Sequence, residues 1–290
     1  MSKIDQLRRL LSGDDFIIAP GAYDGLTARL IADAGFPVVY ATGAGISNSQ
    51  FALADLGLIT MSEVLEQVRK MVGAVDVPVI SDVDTGYGNA LNLHRTIREF
   101  VHAGVAAVQI EDQVIPKKCG HFAGKQLIPF DEAVTKIKAA VDARGDSGLV
   151  LIARTDAIAV AGFEEAMRRA RAYHEAGADA LFVEAPRSRE ELAQIGRDLP
   201  GVKIANIVEG GKTPIVPARD LQAMGFRLAI YANLVLRSSI KAIQKSLAHL
   251  HAAGDTAAIL SDMITMEERA RVTQKDTLDA IEKRFVNIAV

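Results

Sequence analysis

The sequence predicts an α/β protein built as a parallel (β/α)8 barrel of the TIM type. Short apolar, β-branched runs alternate with longer amphipathic stretches along most of the 290 residues, as expected for strands that are buried on both faces. Eight such units recur at regular spacing, which favours a closed barrel. A doubly wound open sheet is the alternative, but the first run continues as IIAPGAYDG, which is not a G-x-G-x-x-G turn.

The elements follow in order from the apolar periodicity. The pattern predicts strands at 16–19, 38–41, 77–82, 107–111, 150–154, 180–184, 203–206 and 228–231. It predicts helices at 22–34, 61–74, 90–103, 130–143, 163–177, 189–198 and 217–224. Thr60 with Glu63, and Ser188 with Glu191, fit capping boxes at helix starts. Glycines stand where three helices are expected to end: Gly35, Gly104 and Gly177.

More helix follows the eighth strand than one barrel needs. We interpret 1–290 as a single barrel domain with 232–290 as a C-terminal helical extension, with helices at 232–253, 258–270 and 273–287. Amphipathic helices must bury their apolar face. We expect these helices to be exchanged between subunits of an oligomer; folding back onto their own barrel is the alternative.

Composition and charge restrict the classes of partner. The net charge is −3 and there is no long basic block, so we expect no nucleic acid. The N-terminal stretch MSKIDQLRRLLSGDD has no long apolar run, and no run is long enough to span a bilayer. The single cysteine cannot form an internal disulfide, which fits a reducing compartment. We therefore expect a cytoplasmic protein without a membrane partner.

Acidic residues close two neighbouring strands. Asp82 and Asp84 end the run SDVD, and Glu111 ends QIE. Strand ends meet at one rim of a parallel barrel, and two adjacent carboxylates repel unless a cation or proton lies between them. Oxygen ligands without a histidine cluster suit Mg²⁺ or Mn²⁺, with waters and substrate completing the shell. The alternative is that these acids cap helices or pair with basic residues at the rim.

The only cysteine of the chain lies in a basic, glycine-containing loop, KKCGH at 117–121. A thiol among cations and near a histidine is expected to react readily, as nucleophile or as proton donor and acceptor. Lys117, Gly120 and His121 flank Cys119 in this loop. The alternative is a buried spectator thiol.

Polar residues also end other strands. Arg154 could bind a carboxylate or phosphate, or it could pair with Asp156, Glu184 or Glu111. Glu184 and Asn206 end later strands and could hold substrate hydroxyls or serve as structural polar groups. The segment Thr42-Gly43-Ala44 follows the second strand and could hold an anion with backbone N–H groups.

Several long motifs resemble the isocitrate lyase / phosphoenolpyruvate mutase superfamily. They occur in the family's order: PGAYDGLTARL, ATGAG, SDVDTGYGN, IEDQ, KKCGH, ARTDA, FVEA and NIVEGGKTP. The resemblance implies a Mg²⁺-dependent barrel and a homotetramer that exchanges C-terminal helices. The cysteine of KKCGH is typical of the lyases, whereas phosphonate mutases and hydrolases usually lack it.

Within this family the chain is similar to the short lyases. Isocitrate lyases are much longer and carry a large insertion. Val208 stands where methylisocitrate lyases commonly have a hydroxyl residue, and Thr42 and Ala44 depart from their Ser-Gly-Gly. The implied activity is Mg²⁺-dependent cleavage of a 2,3-dimethylmalate-like or 2-methylisocitrate-like 2-hydroxy acid to pyruvate, or a similar 2-oxo acid, and a carboxylate. Alternatives are an oxaloacetate hydrolase or decarboxylase, a phosphonopyruvate mutase-type enzyme, and a non-catalytic metabolite-binding barrel.

The resemblance also implies roles for individual residues. Asp82, Asp84 and Glu111 would hold Mg²⁺, with Asp82 also close to the substrate, and Tyr40 or a metal-bound water would be the base. Cys119 would protonate the carbanion carbon. Lys117, Gly120 and His121 would neutralise the enolate-like charge. The remaining predicted substrate contacts are Thr42, Gly43, Ala44, Arg154, Glu184, Asn206 and Arg237. The loop from about 116 to 127 is expected to close over the substrate.

Overall fold

A computed structural model describes residues 1–120 and 122–286. Eight parallel strands pair in sequence order and close into a barrel, which confirms the predicted fold class. The strands are β1 (Ile17–Ala22), β2 (Val39–Ala41), β3 (Val79–Asp82), β4 (Ala107–Glu111), β5 (Val150–Thr155), β6 (Ala180–Val183), β7 (Val202–Asn206) and β8 (Leu228–Tyr231). The pairing of Ile17 with Leu228 closes the barrel between β1 and β8.

Helices follow the strands along the chain. They are α1 (Lys3–Ser12), α2 (Gly25–Asp33), α3 (Gly43–Phe51), α4 (Met61–Ala74), α5 (Ala90–His102), α6 (Phe130–Arg144), α7 (Ala157–Ala161), α8 (Phe163–Glu175), α9 (Arg189–Asp198), α10 (Ala218–Ala223), α11 (Leu234–Ala253), α12 (Met266–Val272) and α13 (Lys275–Phe285). Two short 3-10 helices lie at Gly145–Ser147 and Ala257–Asp262. None of these described helices has the length and apolar character that a membrane span requires.

Apolar side chains fill the barrel below its carboxyl-terminal rim. Alternate residues of the strands point into the barrel. They form one buried cluster, which includes Ile80, Ile152, Phe182 and Ile204. Two other buried clusters lie between strands and helices. Because the lower interior is filled, the polar residues at the upper strand ends form the floor of a site rather than the lining of a channel.

The structure contains three helices that the sequence analysis did not predict: α1, α3 and α7. In α1, the fully buried Leu7 packs against the barrel interior cluster. The Lys3 ammonium donates hydrogen bonds to the carbonyls of Val72 and Val75 at 2.7 and 2.6 Å. This helix therefore attaches to the rest of the barrel unit through both apolar and polar contacts.

The predicted capping residues of the helices are confirmed with one exception. Thr60 and Glu63 form the reciprocal capping box. Ser188 accepts from the Glu191 amide at 3.1 Å, but the Glu191 carboxylate accepts from the Arg187 amide at 2.6 Å, so the second half of that box is wrong. The three glycines follow the alanine C-caps of α2, α5 and α8 and have left-handed φ angles of 87°, 81° and 105°: Gly35, Gly104 and Gly177.

The chain divides into two compact units, residues 1–236 and 237–290. The first contains the barrel. In the second, the predicted helix at 258–270 is replaced by a 3-10 turn followed by α12. The predicted last helix is present as α13, and its expected last residue, 287, lies outside the described residues.

Candidate active site

The strand register brings the predicted polar residues to one rim. Glu111 at the end of β4 pairs with Arg154 on β5, and Asp82 at the end of β3 pairs with Gln109. Glu184 directly follows β6, and Asn206 ends β7. The Asn206 amide donates to Glu184 Oε2 at 3.3 Å.

Asp82 and Asp84 converge, although only Asp82 lies on a strand. Strand β3 ends at Asp82, and Asp84 adopts a left-handed φ of 48°, a conformation that costs free energy in a non-glycine residue. The Asp84 amide donates to Asp82 Oδ1 at 3.1 Å. A Cβ on Gly43 would lie 3.1 Å from Asp82 Oδ2 and 3.5 Å from Asp84 Oδ1. Both carboxylates therefore face the start of α3.

The electrostatics of this rim are dominated by buried carboxylates. Burial raises the pKa of Asp84 to about 6; Asp82 adds to this shift and the Lys117 ammonium opposes it. Burial raises the pKa of Glu111 well above its ordinary value, although the Arg154 guanidinium acts in the opposite direction. Among the described residues, Glu111 Oε2 and Asp84 Oδ1 have only ion-pair contacts, with Arg154 at 3.2 Å and Lys117 at 3.0 Å, and Glu111 Oε1 has no hydrogen-bond donor. Buried oxygens of this kind favour a cation or a proton.

These oxygens fit a hard divalent cation in chemical type. Carboxylate oxygens are the ligands that Mg²⁺ and Mn²⁺ prefer, and Mg²⁺ usually keeps several waters. Within residues 1–120 and 122–286, no set of three or more carboxylate, imidazole or thiol side chains is close enough together to bind a metal ion unaided. A cation at this rim would therefore need water or substrate oxygens in its shell.

The cysteine loop lies at the same rim as the acids. Lys117 Nζ is 3.0 Å from Asp84 Oδ1 and also contacts Asp55 Oδ1. The Cys119 amide donates to the Asp55 carbonyl at 3.1 Å. Burial by itself would lower the pKa of Lys117, but the Asp84 and Asp55 carboxylates raise it well above its ordinary value. Lys117 is therefore a permanent cation beside the predicted metal ligands.

Asp55 is a site residue that the sequence analysis missed. It lies between α3 and α4, on no strand end, and its surroundings, FALADLGL, carry no polar pattern. The residue is 9% exposed. Its role as the partner of Lys117 follows from a contact across 62 positions of sequence, which no local signal reveals.

Gly120 packs directly onto the strand ends. A Cβ added at this position would lie 2.6 Å from Arg154 Nη2 and 2.7 Å from Glu184 Oε1, closer than real side chains approach. Any larger residue would have to displace the ends of the Arg154 and Glu184 side chains, so glycine lets the loop backbone reach them in this arrangement.

Arg154 pairs with the acidic residues that the sequence offered as alternative partners, and it lies at the rim where a substrate carboxylate could bind. Its guanidinium donates to both oxygens of Asp156 at 3.0 Å and forms an ion pair with Glu111 at 3.2 Å. It also lies 5.4 Å from the ring centroid of Phe182. Glu184 is further away, at 3.9 Å. These contacts hold the planar group at the rim, where it can also bind a substrate carboxylate.

Tyr40 forms a hydrogen-bonded chain with Gln109 and Asp82. The phenol donates to Gln109 Oε1 at 3.0 Å, and the Gln109 amide donates to Asp82 Oδ1 at 3.4 Å. Burial and then Asp82 raise the pKa of Tyr40 well above its ordinary value. In this arrangement the neutral phenol is a hydrogen-bond donor that holds Gln109, and the role of base stays a prediction. Gln109 was not predicted as a site residue.

Three of the other predicted substrate residues lie at the start of α3. Thr42 is the N-cap of α3 and accepts from the Gly45 amide at 3.3 Å, so the predicted glycine-rich loop is in fact a helix start. Gly43 and Ala44 form the first residues of α3. Arg237 lies in the second compact unit. His121 lies outside the described residues.

Comparison with known proteins identifies the family. A model of the phosphoenolpyruvate phosphomutase family matches residues 7–251. The chain belongs to the phosphoenolpyruvate mutase / isocitrate lyase superfamily. The resemblance noted in the sequence is thereby confirmed.

Individual members of this superfamily are similar over nearly the whole chain. A 2,3-dimethylmalate lyase of Eubacterium barkeri is 44% identical over 268 residues, covering 92% of this chain and 93% of that protein. A 2-methylisocitrate lyase of Bacillus subtilis is 42% identical over 278 residues, covering 96% and 91%. A solved structure of oxaloacetate acetylhydrolase with 3,3-difluorooxalacetate has a TM-score of 0.94 at 33% identity, covering 100% and 99%. The relatives named as lyases support an enzyme of the carbon–carbon lyase type.

Proposed function

We propose that this protein cleaves the C2–C3 bond of a substituted 2-hydroxydicarboxylate, giving pyruvate or a similar 2-oxo acid and a carboxylic acid. The observation that carries this proposal is the seating of the cysteine loop on the rim that holds the acids. Lys117 contacts Asp84, and Gly120 packs on Arg154 and Glu184. The backbone segment that carries Cys119 thus lies at the same rim as two cations and several carboxylates, an arrangement that suits carbanion chemistry.

Asp82, Asp84 and Glu111 are proposed to hold Mg²⁺, or Mn²⁺, together with waters and the substrate. The burial of the Asp84 and Glu111 carboxylates, whose charges Lys117 and Arg154 offset only in part, supports this assignment. When bound, such a cation would supply polarisation of the substrate's 2-hydroxyl and 1-carboxylate.

The chain's own residues would bind the substrate and stabilise the developing charge. Arg154, the N-terminus of α3 at Gly43 and Ala44, and the Thr42 cap would orient the 2-oxo-acid half. Helix N-termini and guanidinium groups both favour carboxylates. The Lys117 ammonium and the Gly120 backbone, with His121, would stabilise the enolate-like half, where preorganised donors act most strongly on the rate.

Cys119 is proposed as the acid that protonates the carbanion carbon after the C2–C3 bond breaks. The 2-hydroxyl proton would pass to a water at the rim, so that C2 becomes the keto carbon of the 2-oxo acid as the C2–C3 bond breaks. The electron pair of that bond remains on C3, and the Cys119 proton converts C3 to the C–H of the carboxylic acid product. A proton from solvent then restores the Cys119 thiol. General acid help of this kind contributes roughly 10²–10⁴-fold to the rate. Tyr40 would position Gln109 and Asp82 beneath the substrate.

Substrate size is proposed to be set by the segment after β7. Val208 is an apolar side chain, 7% exposed, two residues after Asn206 in the segment that follows this strand. An apolar residue at this position favours a small or apolar substituent over a third carboxylate. Glu184 and Asn206 would complete the cavity wall, and Arg237 would contact the distal carboxylate. This favours a dimethylmalate-like substrate over a tricarboxylate.

We further propose that the enzyme is a cytoplasmic homotetramer that exchanges C-terminal helices. Helix α11 carries exposed apolar residues at helical spacing: Ile240, Ile243, Leu247 and Leu250. Such a stripe on a helix needs an apolar partner surface.

A panel of 2-hydroxydicarboxylates and tricarboxylates tests the function. Release of pyruvate or a related 2-oxo acid is expected from at least one substituted malate in the presence of Mg²⁺. Removal of divalent cations with EDTA should abolish the activity, and Mg²⁺ or Mn²⁺ should restore it. The proposal fails if no member of the panel is cleaved while oxalate is released from oxaloacetate.

That second outcome would identify the main alternative, hydrolysis of oxaloacetate. The similarity in fold to oxaloacetate acetylhydrolase supports this alternative, because hydrolysis would also generate an enolate-like fragment at the same rim. Phosphonopyruvate conversion, followed by phosphorus NMR, tests the mutase-type alternative. A ligand-induced rise in melting temperature without turnover would instead indicate a non-catalytic binding barrel.

A further inference from the structure

The cysteine loop is tied together at its base. Gln113 and Leu127 form an antiparallel bridge, and the Val114 amide donates to the Gln126 carbonyl at 2.9 Å. The Gln113 side chain exchanges hydrogen bonds with the Lys118 backbone at 2.8 and 3.0 Å. These contacts close the base of the loop but do not fix the Cys119–Gly120 segment against the barrel.

Lys125 makes a separate contact that does, in addition to the hydrogen bond from the Cys119 amide to the Asp55 carbonyl. Its ammonium donates to the Gly120 carbonyl and to Asp156 Oδ1, both at 2.6 Å. The side chains of Lys125 and Asp156 are 1% and 0% exposed, so both charges are removed from water. Buried charges are tolerated when they are paired and hydrogen-bonded, which applies to this pair.

Asp156 is itself fixed relative to the site. Its amide donates to Asp112 Oδ1 at 3.0 Å, and its carboxylate accepts two hydrogen bonds from Arg154. Gly120 in turn packs on Arg154. One ammonium group therefore joins the loop backbone next to Cys119 to the carboxylate that orients Arg154.

We propose that Lys125 is a positioning residue, which holds the Cys119–Gly120 backbone over Arg154 by bridging the Gly120 carbonyl and Asp156. The consequence for catalysis rests on the proposed function, because it requires Cys119 to act on the substrate. The effect on the position of the loop does not depend on the proposed function. Without the ammonium, the Gly120 carbonyl and Asp156 lose a shared charged donor, and the segment carrying Cys119 leaves the rim more often.

The single cysteine of the chain makes the position of the loop measurable. We propose to alkylate folded protein with iodoacetamide from about pH 6 to pH 10, and to compare plateau rates so that thiol ionisation does not enter. Lys125→Met should be alkylated about tenfold faster than the wild type, which corresponds to about 1.4 kcal/mol. Lys125→Arg, which keeps the charge, should recover part of the difference. Lys138→Met, at an exposed position of α6, is the matched control and should equal the wild type.

Steady-state kinetics of the same variants distinguish the proposed positioning of the loop from the proposed catalytic role of Cys119. Lys125→Met should lower kcat by about tenfold or more with a smaller change in KM, because the loop is displaced from the reacting atoms rather than from the binding groups. Faster alkylation with unchanged kcat would support the positioning of the loop and contradict the role of Cys119. Wild-type alkylation rates in Lys125→Met would overturn the inference.

Loss of folding is also an informative outcome. If Lys125→Met does not fold, Lys125→Gln, which keeps a hydrogen-bond donor, is measured in its place. If neither variant folded, Lys125 would stabilise the barrel as a whole, and the assignment to loop positioning would be wrong.

Discussion

Asp84 has features that destabilise the folded protein but would suit the binding of a cation. It is 7% exposed, lies beside Asp82 and has a left-handed backbone. Burial and the neighbouring carboxylate disfavour the charged form of Asp84, and the left-handed backbone raises the free energy of the folded state. Lys117 compensates part of the charge, and a divalent cation would compensate more. Strain and buried charge concentrated at one position are typical of a functional site.

The pH dependence of cation binding follows from the same residue. The Asp84 pKa of about 6 exceeds the ordinary value of 3.8, so the folded protein binds this proton more tightly than the unfolded chain does. The stability from this group is complete below about pH 3.8 and is lost as the pH rises through about 6. Above that pH the carboxylate is free to bind a cation.

We therefore expect Mg²⁺ to raise the melting temperature more at about pH 8 than at about pH 5. Differential scanning calorimetry of the metal-free protein, with and without saturating Mg²⁺, measures the difference. Asp84→Asn should lose most of the shift at both pH values. Equal shifts at the two pH values, or a full shift in Asp84→Asn, would contradict the assignment of Asp84 as a ligand.

At the scale of elements, α8 is attached to the strand ends by a buried polar network. Asp112, directly after β4, accepts hydrogen bonds from Thr155 and Tyr173 at 2.7 Å and from Arg169 at 3.2 Å. Arg169 also donates to the Ile128 carbonyl at 3.0 Å, where the cysteine loop ends. The network thus holds the last residue of the loop, β5 and α8 in one arrangement.

Two adjacent arginines of α8 give a matched test of this network. Both pair with Glu165, but the side chain of Arg169 is 6% exposed and that of Arg168 is 53% exposed. Arg169→Met leaves Asp112 buried with one partner fewer and should lower the free energy of unfolding by about 3 kcal/mol. Arg168→Met should leave the urea midpoint nearly unchanged, since exposed pairs contribute little. Similar midpoints for the two variants would contradict the network.

The elements that were predicted correctly are those with a local signal. Strands β4 and β8 and helices α4 and α9 begin and end at the predicted residues, because a buried strand or an amphipathic helix shows its period in sequence. Strand-end acids were recognisable because β/α topology fixes the rim on which they lie.

The features that were missed depend on contacts between distant segments. Helix α1 is short and is held by contacts with residues about 70 positions away. Asp55 and Lys125 gain their roles only when the loop between β4 and α6 folds onto the rim. No period or motif encodes such pairings, so a single sequence does not reveal them.

At the scale of the whole molecule, the second compact unit leaves apolar surface exposed. Met266 on α12, and Leu278 and Phe285 on α13, are each at least 60% exposed. With the stripe on α11, this is more apolar exposure than scattered surface residues explain. We interpret this surface as the region that packs on other subunits in the proposed tetramer.

Light scattering coupled to gel filtration tests this interpretation. The expected mass is four times the 31.0 kDa of the chain. Leu247→Glu, in the middle of the α11 stripe, should lower the mass because a charge would be buried in the interface. Lys241→Glu, at an exposed position on the opposite face of the same helix, is the control and should leave the mass unchanged. A monomeric wild type at micromolar concentration would contradict the proposed assembly.

The central claim is that the Cys119 thiol protonates a carbanion at a rim whose acids hold a divalent cation. Its most direct test is the turnover of Cys119→Ala on the best substrate of the panel, with Mg²⁺ present. Turnover should fall by roughly 10²–10⁴-fold, while calorimetry shows that Mg²⁺ and pyruvate still bind. Cleavage at a near-normal rate by Cys119→Ala would contradict the account.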